Sequence, residues 1–166
     1  MDFDIFFSDY NIKCFVRDDV PDLYQFCKEN ITYYQYLHLE PTPESLIHEL
    51  TKLPPKKSLD DKYFVGFYQK GVLVAILDLI KGYPNEKTAF VGWFMVKKSL
   101  QNMGIGKKIF EQLLELLKAE GFEQVRLGCV KENKEGEYFW RRNGFKPTGA
   151  KYETDGYTVI LKERKI

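Results

Sequence analysis

Near the start of the chain apolar and polar positions alternate: Ile12, Cys14 and Val16 fall on one side and Lys13 and Arg17 on the other, which predicts a first strand with one face buried. The rhythm then becomes helical. Asp18 or Asp19 offers an N-cap, Pro21 sits in the first turn, and Leu23, Phe26 and Cys27 share one side. A tyrosine-rich stretch, Tyr33, Tyr34 and Tyr36, leads to Thr42 and Pro43, which cap and open a second helix with Leu46, Ile47 and Leu50 as its apolar stripe. Pro54 and Pro55 stop that helix, and Leu53 to Asp61, rich in proline, lysine and aspartate, reads as a surface loop.

Three β-rich runs follow, Tyr63 to Tyr68, Val72 to Ile80 and Thr88 to Val96. Short turns at Gln69, Lys70 and Gly71 and at Gly82 to Lys87 separate them, so they are expected to run antiparallel. Gly106 to Glu120 carries Ile109, Phe110, Leu113, Leu114, Leu116 and Leu117 at helical spacing, with Gly121 as the stop. Val125, Leu127 and Cys129 alternate as a strand. Asn133 to Asn143 makes a shorter helix ended by Gly144, and Asp155 and Gly156 form the turn before a final strand at Tyr157 to Leu161. Interleaved strands and helices with short strand connections predict an α/β (α+β-like) class: a single domain over residues 1–166 with a mixed, largely antiparallel sheet flanked by helices.

A chain of 166 residues supports one core rather than two. Its 25 basic and 24 acidic residues nearly cancel, so no broad positive field recommends a nucleic-acid partner. Asp2 and Asp4 interrupt the opening residues, which do not read as a secretory signal, and no apolar run reaches membrane-spanning length, so no membrane partner is expected. Cys14, Cys27 and Cys129 are odd in number and widely spaced, which argues against a disulfide framework or a thiolate metal site and points to the cytoplasm. His38 and His48 alone cannot build a metal centre, and none is expected.

The chemistry concentrates between Val96 and Lys107. A strand ends, a polar loop follows, and a helix begins at Gly104 and Gly106. The glycines let backbone amides approach a ligand, and a helix start leaves N–H groups unpaired and electropositive, an arrangement that suits a pyrophosphate. Lys107 is either a charge-assisted contact or a solvated lysine of the first turn.

Gln101-x-x-Gly104-x-Gly106 after an apolar strand resembles the acyl-CoA signature of the GCN5-related N-acetyltransferases (GNAT). The next strand, Asn133, and the aromatic pair Phe139 and Trp140 before Gly144 and Phe145 resemble that family's second half, so the resemblance covers roughly residues 88 to 146. It implies acetyl-CoA as acyl donor and an amine as acceptor. Phe94, Met95 and Val96 would pair with the pantetheine arm, with an amide of that strand, assigned to Val96, facing the thioester oxygen. Gln101, Asn102, Met103, Gly104, Ile105, Gly106 and Lys107 would hold the pyrophosphate. Asn133 would bond the pantetheine region or simply cap the last helix, and Trp140 would line the tunnel, with Phe139 beside it or in the core.

In many members of the family a tyrosine protonates the departing sulfur at the place of Trp140, and an indole cannot do so. Tyr138, on the opposite side of the same helix, is a poor substitute.

The acceptor side carries fewer signals. Asp78 interrupts an apolar strand and needs a partner if buried: an acceptor ammonium, or a nearby lysine. Tyr33, Tyr34 and Tyr83 are candidates for the acceptor wall, and Glu40 is a further candidate base. Cys129 reads as a core thiol. The resulting expectation is direct transfer from acetyl-CoA to a small-molecule amine, by a monomer or a homodimer. The competing readings are a non-catalytic acyl-CoA sensor and a protein N-acetyltransferase, the latter recognisable by a shallow open groove in place of an enclosed tyrosine pocket.

Overall fold

The three consecutive strands of the middle of the chain form the centre of the molecule. In a computed structural model, which describes residues Met1–Ile166, β2 (Lys62–Gln69), β3 (Val72–Ile80) and β4 (Thr88–Val96) pair antiparallel as their short connections require. The β2–β3 turn consists of Lys70 and Gly71, with φ of 51° and 78°, a pair of left-handed residues that follows the twist of the strands. A crossover through α5 (Ile105–Ala119) then brings β5 (Gln124–Val130) parallel to β4. With β1 (Asn11–Cys14), β6 (Lys146–Glu153) and β7 (Thr158–Lys165) the sheet has seven strands in the order β1-β2-β3-β4-β5-β7-β6, and β4–β5 is the one parallel pair. The class is the expected one, a single domain with a mixed, largely antiparallel sheet between helices.

Both faces of the sheet are covered. On one, Val65, Phe67, Leu77 and Leu79 pack against Ile109, Phe110, Leu113 and Leu117 of α5 and against α1 (Phe3–Phe6) and α6 (Lys134–Arg142). On the other, Phe64, Ile76 and Met95 meet α2 (Val20–Glu29), α3 (Ile31–Tyr36) and α4 (Pro43–Thr51) through Leu23, Phe26, Tyr34 and Leu46. Thr42 caps α4 by accepting the Ser45 amide at 3.1 Å, and Gly121, at φ 85°, follows the end of α5, as the sequence predicts at both places. No helix is long and apolar enough to cross a membrane.

Several elements differ from expectation. β1 ends at Cys14, which is exposed together with Val16, while Phe15 is the buried residue. The chain leaves the sheet there because the Asp19 carboxylate accepts the Val16 amide at 3.0 Å and starts a turn into α2. The short helices α1 and α3 and the whole of β6 were not expected, and β7 continues past Leu161 to Lys165.

An irregularity in β4 shapes everything that follows. Asp78 lies opposite Trp93 and Leu79 opposite Val91, so Gly92 is an extra residue, a bulge. One inserted residue reverses the alternation of side chains. Ala89 and Val91 face the α5 side before it; after it Phe94 and Val96 do, and Trp93 and Met95 turn toward α2–α4. β4 and β5 stop pairing at Val91 and Leu127, immediately before the bulge, and the strands part.

Candidate functional site

Between the parted strands lies a cavity of about 220 Å³. Its walls come from Val91–Val96 of β4, Leu127–Val130 of β5, Asn30, Thr32 and Tyr33 from the α2–α3 junction, Lys98, Gln101 and Asn102 of the loop, and Asn133, Glu135, Phe139 and Trp140 at α6. The protein therefore offers one cleft with a phosphate-type loop at one end and aromatic side chains at the other.

At the loop end, Asn102 and Gly104 adopt left-handed conformations, φ 61° and 81°. Gly104 is the N-cap of α5 and supplies no capping side chain, and the first turn holds no acidic residue. None of the amides from Asn102 to Lys107 donates to an acceptor within the chain; the first amide of α5 to do so outside the helix is that of Lys108, to the Gly104 carbonyl at 3.0 Å. Unpaired amides at the positive end of a fifteen-residue helix are what a pyrophosphate needs. Gly106 sits in a tight place: a Cβ there would come within 3.2 Å of Val96 and 3.3 Å of Phe139.

Gln101 holds this loop in place. Its Nε2 donates to the Val96 carbonyl at 3.0 Å and to Asn30 Oδ1 at 2.9 Å, while Asn30, almost wholly buried, donates to the Phe26 carbonyl at 2.9 Å. A buried polar chain thus joins the end of α2, the end of β4 and the loop. It also reports the direction of the β4 backbone. The Lys97 amide donates to Val74 on β3 at 2.8 Å, so the amides of Phe94 and Val96, out of phase with it, point the other way. The Val96 carbonyl, bonded to Gln101 on that side, agrees. Because β5 has moved off, these amides face the cavity.

Around the cavity floor Phe94 stacks on Phe139 at 5.8 Å, and Trp140 meets Phe139 at 4.9 Å, Phe110 at 5.1 Å and Phe145 at 5.3 Å. Phe139 is thus both core and wall. Asn133 caps α6, its Oδ1 accepting the Gly136 amide at 2.8 Å, which leaves its Nδ2 protons unused by the protein. Cys129 is buried in the wall, and burial pushes its thiol up to about 11, so it is a neutral thiol at physiological pH.

Other candidates lie elsewhere. Met103 and Gly104 of the loop and Ile105, Gly106 and Lys107 of the first turn of α5 are not on the cavity wall, and Lys107 pairs with Glu111 at 3.5 Å in the i,i+4 arrangement of a solvated helix face. Tyr34 is buried among Phe26, Cys27 and Leu46 behind the wall formed by Tyr33. Tyr83 packs edge-on against Phe90, where β4 and β5 are still paired, away from the cleft. Glu40 is exposed and outside the cavity.

Asp78 also lies off the wall. Both its oxygens accept from Lys62 Nζ at 2.7 Å, and Lys62 donates further to the Lys52 carbonyl at 3.1 Å. The carboxylate stands directly behind the bulge: a Cβ on Gly92 would lie 2.9 Å from Asp78 Oδ2. Its burial pushes the carboxyl up to about 6, against the lowering effect of Lys62.

The family model described as the Acetyltransferase (GNAT) family matches residues 22–145, which spans α2 through α6 and contains the loop, the bulge and the cleft. The chain belongs to the GNAT acetyltransferase family. It is accordingly an acyltransferase of a fold that uses acetyl-CoA, and the amide run at Asn102–Lys107 fits that donor's pyrophosphate. Solved structures agree on the fold. An acetyltransferase from Thermus thermophilus superposes with a TM-score of 0.77 at 19% identity, over 95% of this chain and 97% of that one. The enzyme of Salmonella typhimurium that modifies the N-terminal serine of the 50S ribosomal protein L7/L12 gives 0.72 at 18%, over 96% of each chain. The PaiA N-acetyltransferase of Thermoplasma acidophilum, solved in complex with coenzyme A, gives 0.66 at 23%, over 95% of this chain and 99% of that one. Among curated proteins no sequence matches.

In this GNAT acetyltransferase, Asn30, Thr32 and Trp93 complete a cleft whose loop, β4 end and α6 residues were legible in the sequence. A glycine inside the apolar run of β4 was the available signal for the bulge, and through it for the orientation of Trp93.

Proposed function

We propose that the protein transfers an acetyl group from acetyl-CoA to the primary amine of a small molecule, by direct attack with donor and acceptor bound together in the cleft. The observation that carries this reading is that the run of unpaired amides, Asn102–Lys107, begins at Asn102 on the wall of the cavity faced by the Phe94 and Val96 amides. Bound acetyl-CoA supplies an activated acetyl thioester. The protein's part is to fix the phosphates on the loop, align the pantetheine arm along Phe94, Met95 and Val96, and present the Val96 N–H to the thioester oxygen as negative charge develops there. The nitrogen lone pair forms the C–N bond as the C–S bond breaks, and the proton shed by nitrogen passes through water to the departing sulfur. A thiol of pKa near 8.5 leaves without a dedicated acid, and the raised thiol of Cys129 argues against a covalent acetyl-cysteine. Three unpaired cysteines suit the reducing cytoplasm.

The decisive experiment is a thiol-release assay with purified protein, acetyl-CoA and a panel of amines, run beside calorimetry with acetyl-CoA. Absence of both binding and thiol release would reject the reading; binding without turnover of any amine would favour the sensor.

Two side chains enter in qualified roles. Trp140 is a wall, not an acid, so Trp140→Phe should keep the maximal rate within much less than the roughly 10²-fold that loss of a general acid costs; a larger fall at unchanged acetyl-CoA affinity would contradict this. Asp78 acts from behind the strand as a positioning residue for the Gly92 bulge. Asp78→Asn should lower kcat for a competent amine while leaving acetyl-CoA affinity unchanged, and an unaltered kcat would remove the role.

A further inference from the structure

The acceptor end of the cavity is bounded by Thr32 and Tyr33 of α3, Gly92 and Trp93 of β4, and Cys129 of β5. None of these carries a charge. The charged residues on the cavity wall are Lys98, in the turn before the loop, and Glu135, in the first turn of α6, and neither lies on α3 or on the Gly92–Trp93 segment of β4. Two carboxylates behind the wall are already matched: Asp78 by Lys62 at 2.7 Å and Glu49 of α4 by Lys52 at 2.9 Å.

The two facing aromatic groups are ordered by contact. Trp93 stacks on Tyr33 at 6.1 Å and 25° and is backed by Phe64 and Tyr34. Burial drives the Tyr33 hydroxyl well above its ordinary range, with Tyr157 the next largest influence, so Tyr33 is a neutral surface at any physiological pH. The β6–β7 turn approaches the residues that follow α3: a Cβ on Gly156 would be 3.7 Å from the His38 ring and 3.9 Å from the Leu37 carbonyl.

Resting on the acetyltransferase reading above, we infer that the acceptor is a compact primary amine on an aromatic or apolar skeleton with no second charge. A polyamine would bring a second ammonium, and an amino acid a carboxylate, against Thr32, Tyr33, Gly92, Trp93 and Cys129, none of which offers a counter-charge, and burying an unmatched charge is the costlier outcome. A flat apolar skeleton instead gains area against Tyr33 and Trp93.

The test compares 2-phenylethylamine, spermidine, glycine and a serine-initiated hexapeptide in the thiol-release assay across a range of salt. Calorimetric titration of each amine into protein saturated with CoA supplies a readout independent of turnover. Phenylethylamine should exceed the others at least tenfold in kcat/KM and should bind the CoA-loaded protein. Its KM should be indifferent to salt, because no charge pair recognises the skeleton. Tyr33→Leu should raise that KM about tenfold with acetyl-CoA affinity unchanged, whereas Glu49→Gln should leave it as it was. Preference for spermidine or glycine, a KM that climbs with salt, or a strong effect of Glu49→Gln would overturn the inference and leave the transferase reading standing. Preference for the peptide would place the acceptor amine on a protein. Failure to bind acetyl-CoA would bring down both.

Discussion

Gly104→Val is expected to weaken acetyl-CoA binding tenfold or more while the protein remains folded. Gly104 sits at φ 81° and ψ −7°, a left-handed conformation that costs a residue with a Cβ about 1–2 kcal/mol and is worse for a β-branched side chain. Around it there is open space: a Cβ would meet nothing within 4 Å. The strain is therefore relieved by rotating the peptide out of the left-handed region, not by displacing the core. That rotation turns the neighbouring amides away from the direction in which a pyrophosphate receives them, so binding is lost through geometry. Since about 1.4 kcal/mol is tenfold in affinity, the strain alone reaches that figure. Calorimetry gives the affinity and the thermal midpoint checks the fold. A dissociation constant unchanged in folded Gly104→Val would mean that the phosphates lie elsewhere. Gly106→Val is a contrasting control, because it pushes on Val96 and Phe139 and should also lower the midpoint.

What the sequence made legible, and what it did not, follows from where the information sits. β3, β4 and α5 were bounded correctly to within a residue because each is long, strongly patterned and punctuated by a glycine turn or cap. β6 escaped notice because nearly every residue from Lys146 to Glu153 is exposed, so an edge strand has no buried face to produce alternation. The loop of the donor site is contiguous and could be read directly, whereas the acceptor end is assembled from α3, β4 and β5 and has no local signature.

The partner of Asp78 shows how a small irregularity hides a contact. Counted from the turn, with Gln69 opposite Val72, Asp78 would fall opposite Tyr63 and Lys62 would point to the other face. The bulge between Phe67 and Tyr68 shifts the register by one residue, places Phe64 opposite Asp78, and brings Lys62 to the same face. Two bulges, this one and that at Gly92, therefore determine both how the carboxylate is matched and which side chains enter the cleft.

That matched pair carries the second large effect: Lys62→Met should cost about 3–5 kcal/mol of stability at neutral pH, the usual penalty for leaving a buried charge without its partner. The Lys62 side chain is 3% exposed and holds both Asp78 oxygens, and methionine keeps most of its apolar stem beside Phe64 while removing the ammonium. The sign of the pH dependence follows from the direction of the shift. Asp78 is raised from 3.8 to about 6 in the folded protein, so its contribution is fully present below about pH 4 and is lost as pH rises through about 6. Lys62 is the largest influence holding that value down, so Lys62→Met raises it further and deepens the loss at neutral pH, whereas at pH 5 the carboxyl is protonated and the deficit shrinks. Urea denaturation of both proteins at pH 5 and pH 7.5 measures this directly. Replacing the pair together, Lys62→Met with Asp78→Leu, should recover much of the stability, because an apolar pair leaves no charge to solvate. A single variant that loses less than about 1 kcal/mol, or a deficit that grows toward pH 5, would show that the carboxylate is solvated or held by something other than Lys62.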